Sequence, residues 1–145
     1  MNWQKEAESD LRNYIKRKES LDNIKERVRA LQDEICSIKS ASCDSVPIQG
    51  GGNRMEDSLI NNIVKRKRLA LAYRATSRLV LLTERGLESL TERERMVLEK
   101  FYIRRIPNHV GWLMDELVIE QSQVYRIKDD ALYNFTVAMF GIIDY

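Results

Sequence analysis

Apolar and polar positions repeat with a helical period in three short stretches between residues 90 and 135. The first stretch opens with Thr91 and Glu94, whose spacing is typical of a capping box. The second begins after Pro107, which stops the preceding helix. The apolar positions are Val97, Leu98, Phe101 and Tyr102; then Val110, Leu113, Met114 and Leu117; then Val124, Ile127, Ala131 and Phe135. This spacing predicts three helices that share a core.

The connection between the second and third predicted helices is short, from Val118 to Glu120. At 100° per residue, the side of the third helix opposite its apolar positions carries Ser122, Tyr125, Arg126 and Asp129. The sequence therefore predicts a three-helix, helix-turn-helix domain over residues 90–137, with polar side chains displayed on its last helix.

The N-terminal half carries a longer periodic pattern over residues 1–39. Its apolar positions follow three-and-four spacing, with Arg17 among them: Tyr14, Leu21, Ile24, Val28, Leu31, Ile35 and Ile38. Such a seam predicts a long helix that pairs either with a second chain, as a coiled coil, or with another helix of its own chain. Together with the C-terminal pattern, it predicts an all-α protein.

A linker over residues 40–53 contains Pro47 and three consecutive glycines and separates this helix from a second long one over residues 54–85. The second helix is expected to bury an apolar side made of Leu59, Ile63, Ala70, Tyr73 and Val80. It also carries a basic run, Lys65, Arg66, Lys67 and Arg68, which can follow a DNA backbone or form a solvated face.

The last residues, 138–145, are too apolar for a solvated tail. They are expected to pack against the first helices of the chain, with Trp112 nearby, or against a second protomer.

The formal charge of +2 is unevenly distributed. Residues 54–90 hold eight basic and four acidic groups, whereas residues 91–145 hold seven basic and nine acidic groups, a net charge of −2. Neutralisation of phosphates drives much of DNA affinity, so the C-terminal domain alone is expected to bind DNA weakly. Dimerisation, the basic helix or a partner that holds the domain at its site can strengthen binding.

No pattern typical of a catalytic or metal site is present. The single histidine, His109, is expected to be a surface or capping residue, and the two cysteines, Cys36 and Cys43, lack metal-ligand spacing. We therefore expect a protein without cofactor or enzymatic activity. The absence of a long apolar run or a secretory leader predicts a cytoplasmic protein.

Two segments, residues 90–95 (LTERER) and 121–132 (QSQVYRIKDDAL), resemble region four of bacterial sigma factors. Over nearly its whole length, the chain is similar to the ArpU/RinA-type phage regulators of late transcription in Gram-positive hosts. The resemblance implies a regulator that binds double-stranded DNA and acts with host RNA polymerase. A homo-oligomer, with a dimer favoured, is expected instead from the apolar seam of the N-terminal helix, as dimer contacts added to an intramolecular hairpin. The resemblance places Gln121, Ser122, Tyr125 and Arg126 where side chains approach base edges or phosphates. The full set of candidate DNA-binding residues is Gln121, Ser122, Gln123, Tyr125, Arg126, Asp129, Lys65, Arg66, Lys67 and Arg68.

Two positions differ from the usual form of this motif. Val118 stands where glycine is common, and a left-handed backbone is costly for a β-branched residue, which predicts a turn of different shape. Glu120 replaces the usual serine or threonine cap, although its carboxylate still complements the helix dipole.

These departures and the negative charge leave one alternative to the transcription regulator, a helical adaptor whose helix-turn-helix binds protein. A second alternative is a DNA-packaging recognition subunit that forms a ring, because such proteins also join a small helix-turn-helix to oligomerising helices.

Overall fold

The computed structural model describes residues 2–44 and 52–141, with residues 41–44, 52 and 53 described by their backbone alone. The structure is 90% helical, and no strand occurs in these ranges, so the all-α prediction is confirmed. The helices are α1 (Trp3–Asp44), α2 (Gly52–Glu88), α3 (Glu92–Leu98), α4 (His109–Leu117) and α5 (Gln121–Phe140). A π-helical turn, Glu99–Ile103, follows α3 directly. Helices α1, α2 and α5 extend beyond the predicted bounds, and linker residues 45–51 lie outside the described residues.

The chain divides into two compact units. One unit consists of residues 18–77, and the other combines the start of the chain, to residue 17, with residues from 78 onward. Helices α1 and α2 therefore each contribute to both units.

Within residues 18–77, α1 and α2 pair as an antiparallel hairpin. The Asn62 side-chain amide donates a hydrogen bond to the Leu31 carbonyl oxygen at 2.8 Å, and the Lys25 ammonium lies 5.5 Å from the Tyr73 ring centroid. The later residue of α2, Tyr73, thus contacts the earlier residue of α1, Lys25, so the two helices run antiparallel. The predicted seam of α1 faces this contact, since its apolar residues from Leu21 to Ile38 are all half-buried. The intramolecular hairpin, one of the two predicted pairings, is therefore present.

The predicted apolar side of α2 was only partly correct. Leu59 and Tyr73 are half-buried and Val80 is buried, but Ile63 and Ala70 are exposed. The inward face instead includes Asn62, Arg66 and Leu69. The side chain of Asn62 makes hydrogen bonds with α1, which turns the neighbouring Ile63, 100° around the helix, toward solvent.

The start of α1 belongs to the core of the C-terminal unit. Ala7 and Leu11 are fully buried and cluster with Leu90, Leu98, Ala131, Leu132 and Phe135. Burial of each large apolar side chain contributes about 1.5–3 kcal/mol. This core therefore depends on residues separated by more than one hundred positions in the sequence.

The C-terminal end of α5 packs on the first helix of its own chain, which is one of the two predicted partners. Met139 lies against the core that contains Leu11, and the Phe140 and Trp3 ring centroids are 5.0 Å apart. Trp112 contacts Lys100 of the π-helical turn, and its expected place near the C-terminal segment stays a prediction. Residues 142–145 lie outside the described residues.

A second core joins α3, the π-helical turn, α4 and α5. Val97, Leu113 and Val124 are fully buried there, one from each of the three predicted apolar patterns. The predicted cap of the first helix is confirmed, since the Glu94 backbone N–H donates to the Thr91 hydroxyl oxygen at 3.3 Å. The Glu94 carboxylate also accepts a hydrogen bond from Asn134 of α5 at 2.9 Å. The cap thus orients α3 against α5.

Candidate nucleic-acid interface

The turn between α4 and α5 contains a left-handed valine. Val118 has φ 53° and ψ 55°, and its side chain is 88% exposed. The expectation of a differently shaped turn was therefore wrong. The left-handed residue lets the Ile119 N–H bond the Met114 carbonyl oxygen at 3.2 Å and lets Ile119 pack on the second core. These contacts offset a backbone cost of about 1–2 kcal/mol.

The N-terminal half of α5 displays the predicted polar surface. Gln121, Ser122, Gln123, Arg126 and Asp129 are exposed, and Tyr125 is 42% exposed. On the other side of the helix, Val124, Ala131 and Phe135 are fully buried. The separation of faces inferred from the sequence is therefore present, while the DNA-binding role of the exposed side chains stays a prediction.

The N-terminus of α5 is capped by Glu120 in an extended conformation, with φ −80° and ψ 161°. Its side chain makes no capping hydrogen bond and is exposed. The carboxylate therefore stabilises the helix through its dipole alone, and it places a negative charge beside Gln121.

An aromatic cluster supports α5 from the π-helical turn. The Phe101 ring packs edge-on against His109 at 4.6 Å and against Tyr125 at 5.9 Å between centroids. His109 consequently lies at the surface with part of its ring covered, and Asn108 rather than His109 occupies the N-cap position of α4. Burial lowers the pKa of His109, and the positive charge of Arg105 lowers it further. His109 therefore favours its neutral form in this packing.

Lys128 belongs to the same surface, although sequence reasoning did not select it. Its ammonium lies 5.8 Å from the Tyr125 centroid and 5.9 Å from the Phe101 centroid, and it forms an ion pair with Asp129 at 2.9 Å. The hydrogen bond to Asp129 raises the pKa of Lys128, whereas burial opposes the shift. The pairing partly neutralises Asp129, which otherwise places a carboxylate on the candidate surface. The i, i+3 spacing of Lys128 from Tyr125 was the sequence signal that could have identified Lys128.

The basic run on α2 is less uniform than its sequence indicates. Lys65, Lys67 and Arg68 are exposed, but Arg66 is half-buried. The Arg66 Nε–H donates to the Asn62 side-chain oxygen at 2.9 Å. Three of the four cations therefore face solvent, and Arg66 instead supports the hairpin.

Further cations lie in the π-helical turn and in the segment that connects it to α4. Arg104 and Arg105 are exposed, and the Lys100 ammonium lies 4.6 Å from the Trp112 ring centroid. Acidic residues lie close to the turn between α4 and α5, since Asp115 and Glu116 are exposed on α4. The charge of the C-terminal unit is therefore mixed along its surface.

Within the described residues, no group of three or more histidine, cysteine, aspartate or glutamate side chains is arranged to hold a metal ion. None of the helices in these ranges is long and apolar enough to cross a membrane. Comparisons with protein-family models, with curated proteins and with solved structures gave no match to this chain.

Proposed function

We propose that this chain is a sequence-specific DNA-binding regulator of phage or prophage late transcription, which acts with host RNA polymerase in the bacterial cytoplasm. The proposal follows the resemblance to sigma region four and the ArpU/RinA-type regulators. The observation that carries it is the polar face of α5, which begins directly after the α4 turn and lies opposite fully buried residues. A helix that follows such a turn and presents its N-terminal residues can enter the major groove of DNA.

The exposed side chains have the chemistry needed to read base edges. Arg126 can donate two hydrogen bonds to guanine, and Gln121 can pair with adenine, each bidentate contact giving about 1–3 kcal/mol of discrimination. Ser122, Gln123 and Tyr125 can add contacts to bases or phosphates. The polar face is therefore proposed to supply the specificity of the protein.

Affinity is proposed to come from outside this face, because residues 91–145 have a net charge of −2. The exposed cations Lys65, Lys67 and Arg68 can neutralise phosphates and release counterions. Contact with polymerase at a promoter can raise the local concentration of the protein beside its site. We expect weak and salt-sensitive binding by the protein alone.

A dimer is the second proposed source of affinity. On the unit formed by residues 18–77, α2 leaves four large apolar side chains exposed, namely Ile60, Ile63, Val64 and Leu71. Pairing of the hairpin within one chain does not cover them, and a second copy of the chain can do so. Sedimentation of the parent protein and a Leu71→Gln variant tests this proposal: a dimer that the substitution weakens supports it, and a monomeric parent contradicts it.

The decisive experiment is selection of bound fragments from a phage and host genome by purified protein, at low and physiological salt, with and without RNA polymerase. Specific fragments recovered with protein alone support an autonomous DNA reader. Specific fragments recovered only with polymerase support a sigma-like cofactor. No specific fragment under either condition overturns the proposal.

A protein-binding adaptor is the second candidate, and the acidic residues around the turn favour it. Asp115, Glu116 and Glu120 are exposed, as is the apolar Val118, and carboxylates at this position repel phosphates. The same selection experiment discriminates the two candidates, because an adaptor recovers no specific DNA even at low salt. A ring-sized oligomer in sedimentation, rather than a dimer, favours the DNA-packaging subunit.

A further inference from the structure

Phe101 occupies the centre of the contacts that surround the candidate reading helix. Its ring packs against Tyr125 on α5 and against His109 at the first position of α4. The Lys128 ammonium lies over the same ring. One aromatic side chain thus contacts both helices of the helix-turn-helix and two residues on or beside the exposed face of α5.

The π-helical turn explains how Phe101 reaches this place. The Arg104 N–H bonds the Glu99 carbonyl oxygen at 2.7 Å, an i to i+5 hydrogen bond that widens the turn. Two adjacent aromatic residues then join different cores. Tyr102 packs on the cluster that contains Leu11, whereas Phe101 packs on the cluster that contains Val124. The widened turn therefore links the two cores and directs one ring toward α5.

The Tyr125 side chain is restricted although it is partly exposed. Phe101 packs at a steep interplanar angle of 70°, and the Lys128 ammonium lies 5.8 Å from the Tyr125 ring centroid. Lys128 is itself held by Asp129. Tyr133, farther along α5 and similarly exposed at 45%, has no such contact with Phe101. Tyr125 is thus oriented before any ligand arrives, which lowers the entropy cost of binding.

We infer that Phe101 is a positioning residue, which acts from the π-helical turn to hold Tyr125 and Lys128 in the orientation that contacts the DNA duplex. The inference rests on the proposed function and deepens it. Phe101 is half-buried and belongs to the apolar core, so its effect on DNA passes through the two side chains that it supports. Tyr125 supplies an aromatic contact and Lys128 a positive charge near the groove.

The test compares Phe101→Leu with two control variants, Tyr102→Leu in the same turn and Tyr133→Leu on the same helix. Fragments selected by the parent protein serve as the DNA probe, beside a scrambled duplex of equal length. We expect Phe101→Leu to lower the ratio of specific to non-specific affinity about tenfold, the size of a lost aromatic pair. Non-specific affinity should stay unchanged, and Tyr133→Leu should leave the ratio at the parental value.

A double variant separates positioning from a general loss of packing. If Phe101 acts through Tyr125, adding Phe101→Leu to Tyr125→Leu lowers the ratio little further, because neighbouring residues that share one role are not additive. Fully additive losses overturn the inference. NMR of the free protein gives an independent readout: the Tyr125 ring signals should shift in Phe101→Leu, and unchanged signals also overturn it.

If Phe101→Leu does not fold, Lys128→Met provides a second test of the inference. This variant retains an apolar stem beside Phe101 and Tyr125 but removes the ammonium, and it should lower the specific affinity severalfold. Parental affinity of Lys128→Met for the selected fragments contradicts the role assigned to the charge. A parent protein that binds no specific DNA overturns the proposed function together with this inference. Specific binding that no Phe101 or Lys128 variant alters overturns the inference alone.

Discussion

Gly86 of α2 lies directly against the ring of Phe135 in α5. A Cβ atom at position 86 would come within 2.8 Å of Phe135 Cε2 and 3.0 Å of Met139 Sδ. Phe135 is fully buried, so its ring has little room to move. The absence of a side chain at Gly86 therefore permits the close approach of these two helices.

We predict that Gly86→Ala lowers the free energy of unfolding by about 1–3 kcal/mol, because overpacking outweighs the helix propensity gained by alanine. Urea denaturation monitored by circular dichroism measures the change. Gly111→Ala is the matched control, because the three atoms nearest a Cβ there, at 2.5–2.9 Å, belong to the exposed side chain of Asn108, which can rotate away into solvent. An unfolding free energy that Gly86→Ala leaves equal or higher would contradict the close-packing argument.

The local features of the C-terminal fold could be predicted from the sequence. The Thr91 cap and the apolar periodicity in α4 and α5 depend on neighbouring residues, and each was confirmed. The exposed face of α5 follows from the same periodicity, because burial of Val124 and Ala131 fixes which side faces solvent.

Features that depend on distant contacts could not be predicted. The sequence did not predict the π-helical turn, because the apolar positions around Phe101 and Tyr102 also fit an ordinary α-helix. Packing of Ala7 and Leu11 on Phe135 joins residues that no local period relates. The i, i+3 spacing of Lys128 from Tyr125 could have been read from the sequence, but its contact with Phe101 could not, because Phe101 lies on a different element.

The left-handed conformation of Val118 predicts an unusual stabilising substitution. Val118→Gly should raise the free energy of unfolding by about 0.5–1 kcal/mol, because glycine adopts this backbone without strain while adding some unfolded-state entropy. The valine side chain is 88% exposed, so little packing is lost. Val118→Thr keeps the β-branch and should give no gain. Thermal denaturation of the parent, Val118→Gly and Val118→Thr measures the three melting temperatures. A lower melting temperature for Val118→Gly than for the parent contradicts the strain argument.

Asn62 is predicted to stabilise the hairpin of residues 18–77. The side chain is 2% exposed, donates to the Leu31 carbonyl oxygen at 2.8 Å and accepts from Arg66 at 2.9 Å. Asn62→Ala should lower the free energy of unfolding by about 1–3 kcal/mol, since buried hydrogen bonds are lost and polar groups lose their partner. The exposed neighbour gives a matched control, Asn61→Ala, which should cost less than about 0.5 kcal/mol. Equal effects of the two substitutions in urea denaturation would argue against this role.

His109 predicts a pH dependence of stability between about pH 7.5 and pH 5. Its folded-state pKa lies below the usual 6.5 because of burial and Arg105, so the unfolded chain binds the proton first. The stability contribution is therefore fully present above pH 6.5 and is lost as the pH falls toward the folded-state pKa. His109→Gln should flatten this part of the stability curve. Since His109 is the only histidine, no other imidazole contributes, and a variant curve parallel to that of the parent refutes the prediction.

Arg126 is predicted to contribute to DNA specificity without supporting the fold. It is exposed on α5, so Arg126→Ala should leave the melting temperature unchanged while it weakens binding to selected fragments. Loss of a bidentate guanine contact costs about 1–3 kcal/mol, which is roughly 5- to 150-fold in affinity. Arg85→Ala removes the same charge from an exposed position on α2 and controls for the general electrostatic attraction to phosphates. Fluorescence anisotropy with specific and scrambled duplexes measures both variants. If the two substitutions reduce affinity equally on both duplexes, Arg126 acts only as a surface cation and its base-reading role is refuted.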